Sequence, residues 1–350
     1  MKYTALPPPK ASARAGPISK NHPLWYAGGL PRTCHRMWES PLTKEFQQIV
    51  WDERLVAEWD CLLQLAVAED LGEYGDWTTL ALVPEAAEGS AGVVARKQGV
   101  VAGLPAVPET LAAFDPRLQW LPNMEDGQML RPDSLVGVIR GPVRGILMAE
   151  RTLLNLLGRL SGIATLTQKY VEAVGDAKAR IYDTRKTTPG WRRLEKYAVR
   201  CGGGQNHRTG LCDAVLIKDN HLAARAARAI GQSPESPAEA VHRARQYVRQ
   251  HAPEAIQAGM IVEIEVDTLK QLEQVLPAGP DIVLLDNMTP TQLRDAVDRR
   301  DAINPAVELE ASGGVTLKSI VAIADAGVER ISVGALTHSA VGLDLGLDWL

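Results

Sequence analysis

The sequence has only four cysteines, Cys34, Cys61, Cys201 and Cys212, and none of them stand at CxxC spacing. A structural zinc ribbon is therefore not expected; Cys34 beside His35 offers two candidate ligands but no second pair. Long apolar runs are also missing. No stretch approaches the roughly 20 residues that span a bilayer, and the N-terminus, MKYTALPPPKASARAGP, lacks the apolar core of a signal peptide. The expected compartment is the cytoplasm, with no membrane contact. Strong charge of one sign is lacking too. A formal net charge of −4 supplies no basic field for a nucleic-acid backbone. Small anionic substrates remain open to it, because cations can cluster locally on a mildly acidic protein.

The chain does have length and apolar content. At 350 residues, 45% hydrophobic and 23% charged, it can bury a sizeable core, and global disorder is excluded. Residues 1–45, rich in Pro, Ala, Gly and basic residues, are read as a flexible extension, with Trp25, Tyr26 and Trp38 as anchors. From Thr43 to Asp70 the apolar residues Leu55, Val56, Trp59, Leu62, Leu63 and Ala66 recur at helical spacing, until Gly72 and Gly75 break the pattern. The segments SAGVVARKQGVVAGL, LQWLP and DSLVGVIRGPVRGIL read as antiparallel strands, with a short helix near Val107 to Ala113. The segment GILMAERTLLNLLGRLSGIATLTQKYVEAV predicts a long connecting helix interrupted near Gly158 or Gly162. This first part is an α+β domain.

Beyond it, six short apolar runs each stop at polar residues or glycine. ARIYDT ends in Arg185-Lys186, DAVLI in Lys218-Asp219-Asn220, MIVEIEV in Asp267, DIVLL in Asp286-Asn287, VELEA in Ser312-Gly313-Gly314, and RISV in Gly334-Ala335. Helical segments separate most of them, so the expected architecture is an α/β barrel of about six to seven parallel strands. Function in such barrels gathers at the carboxyl ends of the strands. The chain divides into 1–45, a 46–165 α+β domain with its linking helix, a 166–336 barrel carrying the active site, and a 337–350 segment expected to pack back on the first domain.

Ser312-Gly313-Gly314, ahead of a helix expected at Thr316, and Gly334-Ala335 read as a phosphate cradle; the plainer alternative is two tight βα turns. Glu265 and Asp286 lie at or near successive strand ends, and Glu263 shares a face with Glu265. Two carboxylates near a phosphate suggest Mg2+, against the alternative of salt bridges to barrel lysines. Arg185, Lys186, His207, Arg208 and Lys218 form a cationic counterpart that implies a polyanionic ligand set. Gly202, Gly203 and Gly204 are read as shaping the loop that presents His207 and Arg208.

The runs TRKTTPGWRRLEKYAVRCGGGQNHRTGLCDAVLIKDNH, EIEVD, LLDN, EASGG and SVGALTH resemble the quinolinate phosphoribosyltransferase family, also called nicotinate-nucleotide pyrophosphorylase (carboxylating). The resemblance runs from about Glu69 to the C-terminus. It implies an open, incomplete α/β barrel behind an open-sandwich α+β domain. It also implies the joining of quinolinate to phosphoribosyl pyrophosphate (PRPP), giving nicotinate mononucleotide, pyrophosphate and CO2 in NAD synthesis. By resemblance, Thr184, Arg185, His207, Arg208 and Lys218 surround quinolinate, and Arg151 reaches the site of a neighbouring subunit in a homodimer. Lys186, Glu265 and Asp286 serve PRPP and its Mg2+ and act as the catalytic set. Ser312, Gly313, Gly314, Val333, Gly334, Ala335 and His338 form the phosphate end. Trp77, in place of a smaller apolar residue, and the long extension depart from the family pattern. Three rivals are a relative acting on nicotinate, a lyase using Lys218 as a Schiff-base nucleophile, and a non-catalytic sugar-phosphate binder.

Overall fold

A computed structural model describes residues 45–226 and 236–350. Trp25, Tyr26, Trp38 and the Cys34-His35 pair lie outside the described residues.

Residues 45–51 have no regular secondary structure, and the first helix is Glu53–Leu71. Its start is fixed by Asp52, whose carboxylate accepts the Leu55 N–H. Leu55, Trp59 and Leu63, four residues apart, form its buried stripe, and Gly72 closes it at φ 49°. The helix thus begins later than the apolar spacing predicts. The residues ahead of it are held instead by the barrel, where Ile49 N–H donates to the Asn206 side chain. Asp76 then caps a second helix, Trp77–Leu82, by accepting the Thr78 and Thr79 N–H groups, so the GDWTT run is a helix start.

Strands β1 (Glu88–Ala95), β3 (Gln119–Pro122), β5 (Leu135–Pro142) and β12 (Leu345–Trp349) form an antiparallel sheet in the order β12-β1-β5-β3. Strands β2 (Gly99–Val100) and β4 (Met129–Leu130) pair separately. The chain terminus therefore returns to the first sheet. Ala91, Val93, Ile139 and the short helix Val107–Phe114 pack there against Ile146, Leu153 and Leu157 of the long helix Val143–Val174.

That long helix is continuous through Gly158 and Gly162, contrary to the interruption its sequence suggests. The glycines serve close approach. The Gly158 carbonyl accepts the Leu343 N–H at 2.8 Å, and a Cβ on Gly162 would collide with the Val341 carbonyl. Leu156, Leu160 and Ile163, on another side of the same helix, belong to the barrel core, so one helix serves two cores.

The six barrel strands are β6 (Arg180–Tyr182), β7 (Val215–Ile217), β8 (Val262–Val266), β9 (Ile282–Asp286), β10 (Glu308–Ser312) and β11 (Arg330–Ser332). They are parallel, in the order β6-β11-β10-β9-β8-β7. Tyr182 adds a single parallel bridge to Gln205, and β6 does not pair with β7, so the barrel is open. Along β8 to β11 apolar and polar residues alternate, except that Ile282 and Leu284 of β9 share the polar face with Asp286. Val262, Ile264, Val283, Leu285, Leu309, Ala311 and Ile331 join the apolar core. Glu263, Glu265, Asp286, Glu308, Glu310, Ser312, Arg330 and Ser332 take the opposite face. Barrel interiors are usually filled with branched apolar layers; this one is largely polar. Among the described residues no helix is long and apolar enough to cross a membrane.

Candidate active site

The polar interior is arranged in tiers along the strand direction. At the amino-terminal ends, Arg330 pairs with Glu308 at 2.6 Å and lies over the Tyr182 ring, 4.6 Å from its centroid. One tier up sit His207, Glu263, Glu310 and Ser332, all buried. His207 Nε2 lies 3.0 Å from Glu263 and 3.6 Å from Glu310, and Ser332 donates to Glu310. Burial pushes Glu263 up to about 8, against the pull of Arg330 and Arg208. Burial, and then the neighbouring Glu263 charge, raise Glu310 to about 7. Burial takes His207 down to about 4. Near neutral pH this tier is thus poor in charge.

By distance alone, His207, Glu263 and Glu310 could hold a metal, since one ligand atom of each lies within 4.8 Å of the others. The hydrogen bonding argues otherwise. His207 Nδ1 accepts the Arg208 N–H at 2.8 Å, so the neutral ring carries its proton on Nε2, facing the carboxylates. A ring protonated on Nε2 offers no lone pair to a metal there. Its Nε2 lies 3.0 Å from Glu263 without a hydrogen bond, since neither Glu263 oxygen has a partner among the described residues.

The backbone of His207 is held as firmly as its ring. Asp183 and Lys196 form a fully buried ion pair. Asp183 accepts the His207 N–H at 2.8 Å, and Lys196 donates to the His207 carbonyl at 2.8 Å. Asn206 donates to Asp183 at 2.6 Å. The triple glycine lets this loop lie against the long helix, because a Cβ on Gly202 would collide with the Ala164 carbonyl and one on Gly204 would sit 2.7 Å from Thr167 and Val199 side-chain atoms.

The mouth lies at the carboxyl ends. Arg208 donates to the Ala214 carbonyl at 3.0 Å. The Nε atoms of Arg208 and Arg185 are both buried and have no hydrogen-bond partner among the described residues. Burial, and next the positive charge of Arg185, pull Arg208 below the usual arginine range, so the two guanidiniums are electrostatic neighbours. Lys218 is paired with Glu265. Thr184 accepts the Lys186 N–H at 3.0 Å and shapes that turn. The Lys186 side chain is brought beside Gly334 and His338: a Cβ on Gly334 would lie 3.1 Å from one and 3.2 Å from the other. Val333 is buried and donates to the Tyr182 carbonyl at 2.9 Å, and Ala335 opens the short helix Ala335–His338.

Asp286 and Ser312 are register partners on β9 and β10. Asn287, at φ 53°, donates to Asp286 at 2.6 Å, and its own N–H reaches the Ser312 carbonyl at 2.9 Å. Gly313, at φ 90°, is required there, since a Cβ would collide with the Asn287 side chain. The next helix starts at Ile320, not Thr316. The glycine turn therefore offers turn N–H groups instead of a helix terminus. Arg151 stands apart from these groups. It is exposed on the long helix and makes no hydrogen bond or ion pair among the described residues.

Sequence reasoning assigned no role to Asp183, Lys196, Asn206, Asn287, Glu310 or Ser332. A usable signal was present for two of them: Glu308, Glu310 and Ser312, and Arg330 and Ser332, recur at every second strand position, on the face that also carries Glu263 and Glu265. One consequence is testable. A carboxyl whose folded value is raised from 4.5 to about 7 stabilises the fold fully below pH 4.5 and loses that contribution as pH rises through 7. Glu310→Gln is permanently neutral. Its Tm relative to wild type is expected to improve as pH rises from 4.5 to about 7 and then level off. A Tm difference that stays flat over that range in thermal scans would show Glu310 to be ionised in the native state.

Comparison with known proteins bears on the same residues. The family model described as quinolinate phosphoribosyl transferase, C-terminal domain, matches residues 163–348, and that of the N-terminal domain matches residues 76–161. A nicotinate-nucleotide pyrophosphorylase (carboxylating) from Mycobacterium leprae is 44% identical over 291 residues, covering 82% of this chain and 95% of its own. A probable enzyme of the same name from Bacillus subtilis is 41% identical over 290 residues, covering 82% and 92%. Among solved structures, the nicotinate-nucleotide pyrophosphorylase of Francisella tularensis superposes with a TM-score of 0.76 at 36% identity, covering 87% of this chain and 99% of the other.

Proposed function

Because the chain belongs to the quinolinate phosphoribosyltransferase family, we propose that the mouth of its barrel converts quinolinate and PRPP to nicotinate mononucleotide, pyrophosphate and CO2. The observation that carries this reading is the pair of neighbouring guanidiniums, Arg185 and Arg208, whose buried Nε atoms lack a protein partner. A buried guanidinium N–H without an acceptor is costly, and a planar dicarboxylate supplies two anions suited to two guanidinium forks. Nicotinate, with one carboxylate, leaves half of that demand unmet. Lys218 is paired with Glu265 and 42% exposed in its side chain; a Schiff-base lysine needs a desolvated amine or another cation beside it.

Arg185 and Arg208 hold the acid so that its ring nitrogen faces C1 of the ribose, and this positioning supplies much of the acceleration. The N–C1 bond forms as the C1–O bond to pyrophosphate breaks, through an oxocarbenium-like state. Lys186, beside Gly334 and His338, is placed to offset charge on the departing group. The adjacent carboxylate then leaves as CO2. Its bonding electron pair stays on the ring carbon, stabilised by the pyridinium nitrogen, until a proton replaces it. No protein nucleophile is required.

Glu265 and Asp286 fit Mg2+. Both are oxygen donors at the ends of adjacent strands, and no third carboxylate joins them at the mouth among the described residues. That suits a cation that keeps waters and takes substrate phosphate oxygens. When bound, it neutralises pyrophosphate charge. Asn287 donates to Asp286 and Lys218 pairs with Glu265, so these two neighbours would orient the carboxylates that would hold the ion. We further propose that Arg151, unengaged in its own chain, completes the acid site of a second copy in a homodimer. The test of the reaction is turnover by purified protein with PRPP and Mg2+. Nicotinate mononucleotide is expected from quinolinate and essentially none from nicotinate; efficient use of nicotinate would refute the dicarboxylate reading.

A further inference from the structure

Residues 45–49 precede everything the family models match, yet they are built into the floor of the barrel. Glu45 accepts the Tyr182 hydroxyl at 2.9 Å and pairs with Arg180 at 3.1 Å. Phe46 is 5% exposed and clusters with Ala214, Ile261 and Ile282, which stand at the amino-terminal ends of β7, β8 and β9. Gln48 and Ile49 close on Asn206 with three bonds. Asn206 N–H donates to Gln48 at 2.8 Å, Gln48 donates to the Asn206 carbonyl at 3.2 Å, and Ile49 N–H donates to the Asn206 side chain at 2.7 Å. Asn206 is the residue before His207.

The Phe46 ring is stacked on His207, with centroids 4.3 Å apart and planes 29° apart. The Arg330 guanidinium lies 5.6 Å from the same ring. His207 Nδ1 in turn takes the Arg208 N–H. A chain of direct contacts thus runs from the strap through one imidazole to the backbone of an acid-binding arginine. We infer that Phe46 is a positioning residue for acid recognition, acting through His207 to set where Arg208 stands at the mouth. This rests on the reading of Arg208 as a quinolinate ligand. Phe46 does not touch substrate. The flat ring is the operative feature, since it fixes the tilt of the imidazole, while the Glu45 and Gln48 bonds fix the strap.

The test compares Phe46→Leu with Phe46→Ala in the full chain, with KM measured separately for quinolinate and PRPP. Leucine still fills the apolar floor but offers no ring face, so this variant stays foldable even where alanine does not. The expected result for leucine is a quinolinate KM raised about 3- to 10-fold, with the PRPP KM and kcat within a factor of about two of wild type. Alanine is expected to shift it further in the same direction. A purely structural plug would lower Tm and the active fraction and leave both KM values alone. Folded Phe46→Leu with an unchanged quinolinate KM overturns the inference while the functional reading stands. A wild-type protein that fails to turn over quinolinate overturns the functional reading, and the inference with it.

Discussion

Arg185→Met is expected to abolish most turnover without harming the fold. In a site sheltered from water, removing one partner of a hydrogen-bonded charge pair costs about 2–5 kcal/mol, or on the order of 30- to 4,000-fold in kcat/KM for quinolinate. The stability effect has the opposite sign from that of an ordinary salt-bridge arginine. The Arg185 Nε is buried and unbonded, and its charge lies close enough to weaken that of Arg208. Methionine keeps much of the side-chain length and removes a guanidinium whose buried Nε has no acceptor among the described residues, so Tm should hold level or rise. Steady-state kinetics and a thermal scan on the same preparation check both halves. Arg185→Met with a Tm several degrees lower would mean that the guanidinium is structural and the dicarboxylate argument is misplaced.

Mixing two inactive proteins is expected to produce an active one. Lys186→Ala removes the exposed amine beside Gly334 and His338, and Arg151→Ala removes the unengaged arginine on the long helix; each alone should lose nearly all activity. If Arg151 serves the site of the other copy, a mixed dimer keeps one site in which both residues are intact. Random exchange of equal amounts makes about half of the dimers mixed, so about a quarter of wild-type activity should return. Activity of a mixture incubated under subunit exchange, compared with the separate variants, is the measurement. No recovery, with exchange shown by a tagged subunit, would place Arg151 in its own chain's chemistry.

The parallel barrel was legible because β-α units announce themselves twice, by strand composition and by the polar residues that end each strand. The charged ends, Arg185-Lys186, Lys218, Asp286 and Ser312-Gly313-Gly314, lie at the strand ends their motifs imply. What was illegible depends on partners distant in sequence. Gly158 and Gly162 look like helix breakers by propensity, yet the helix runs through them because the returning backbone at Val341 and Leu343 needs the space. The residues before Asp52 look helical by spacing. Bonds from Gln48 and Ile49 to Asn206 and the stacking of Phe46 draw them to the barrel floor. His207 stands beside Arg208 in the sequence, and only the fold shows its Nδ1 accepting the Arg208 N–H and its Nε2 facing Glu263. The polar tier beneath the mouth was visible as a period-two pattern, but only the fold shows which face of the strands turns inward.

The most direct measurement uses quinolinate labelled in its 2-carboxylate, incubated with the purified protein, Mg2+ and PRPP, with CO2 and pyrophosphate followed together. The expected result is label released as CO2 in step with pyrophosphate, and none when PRPP is left out. Pyrophosphate formed with the label retained in the nucleotide, or label released without PRPP, would contradict the account.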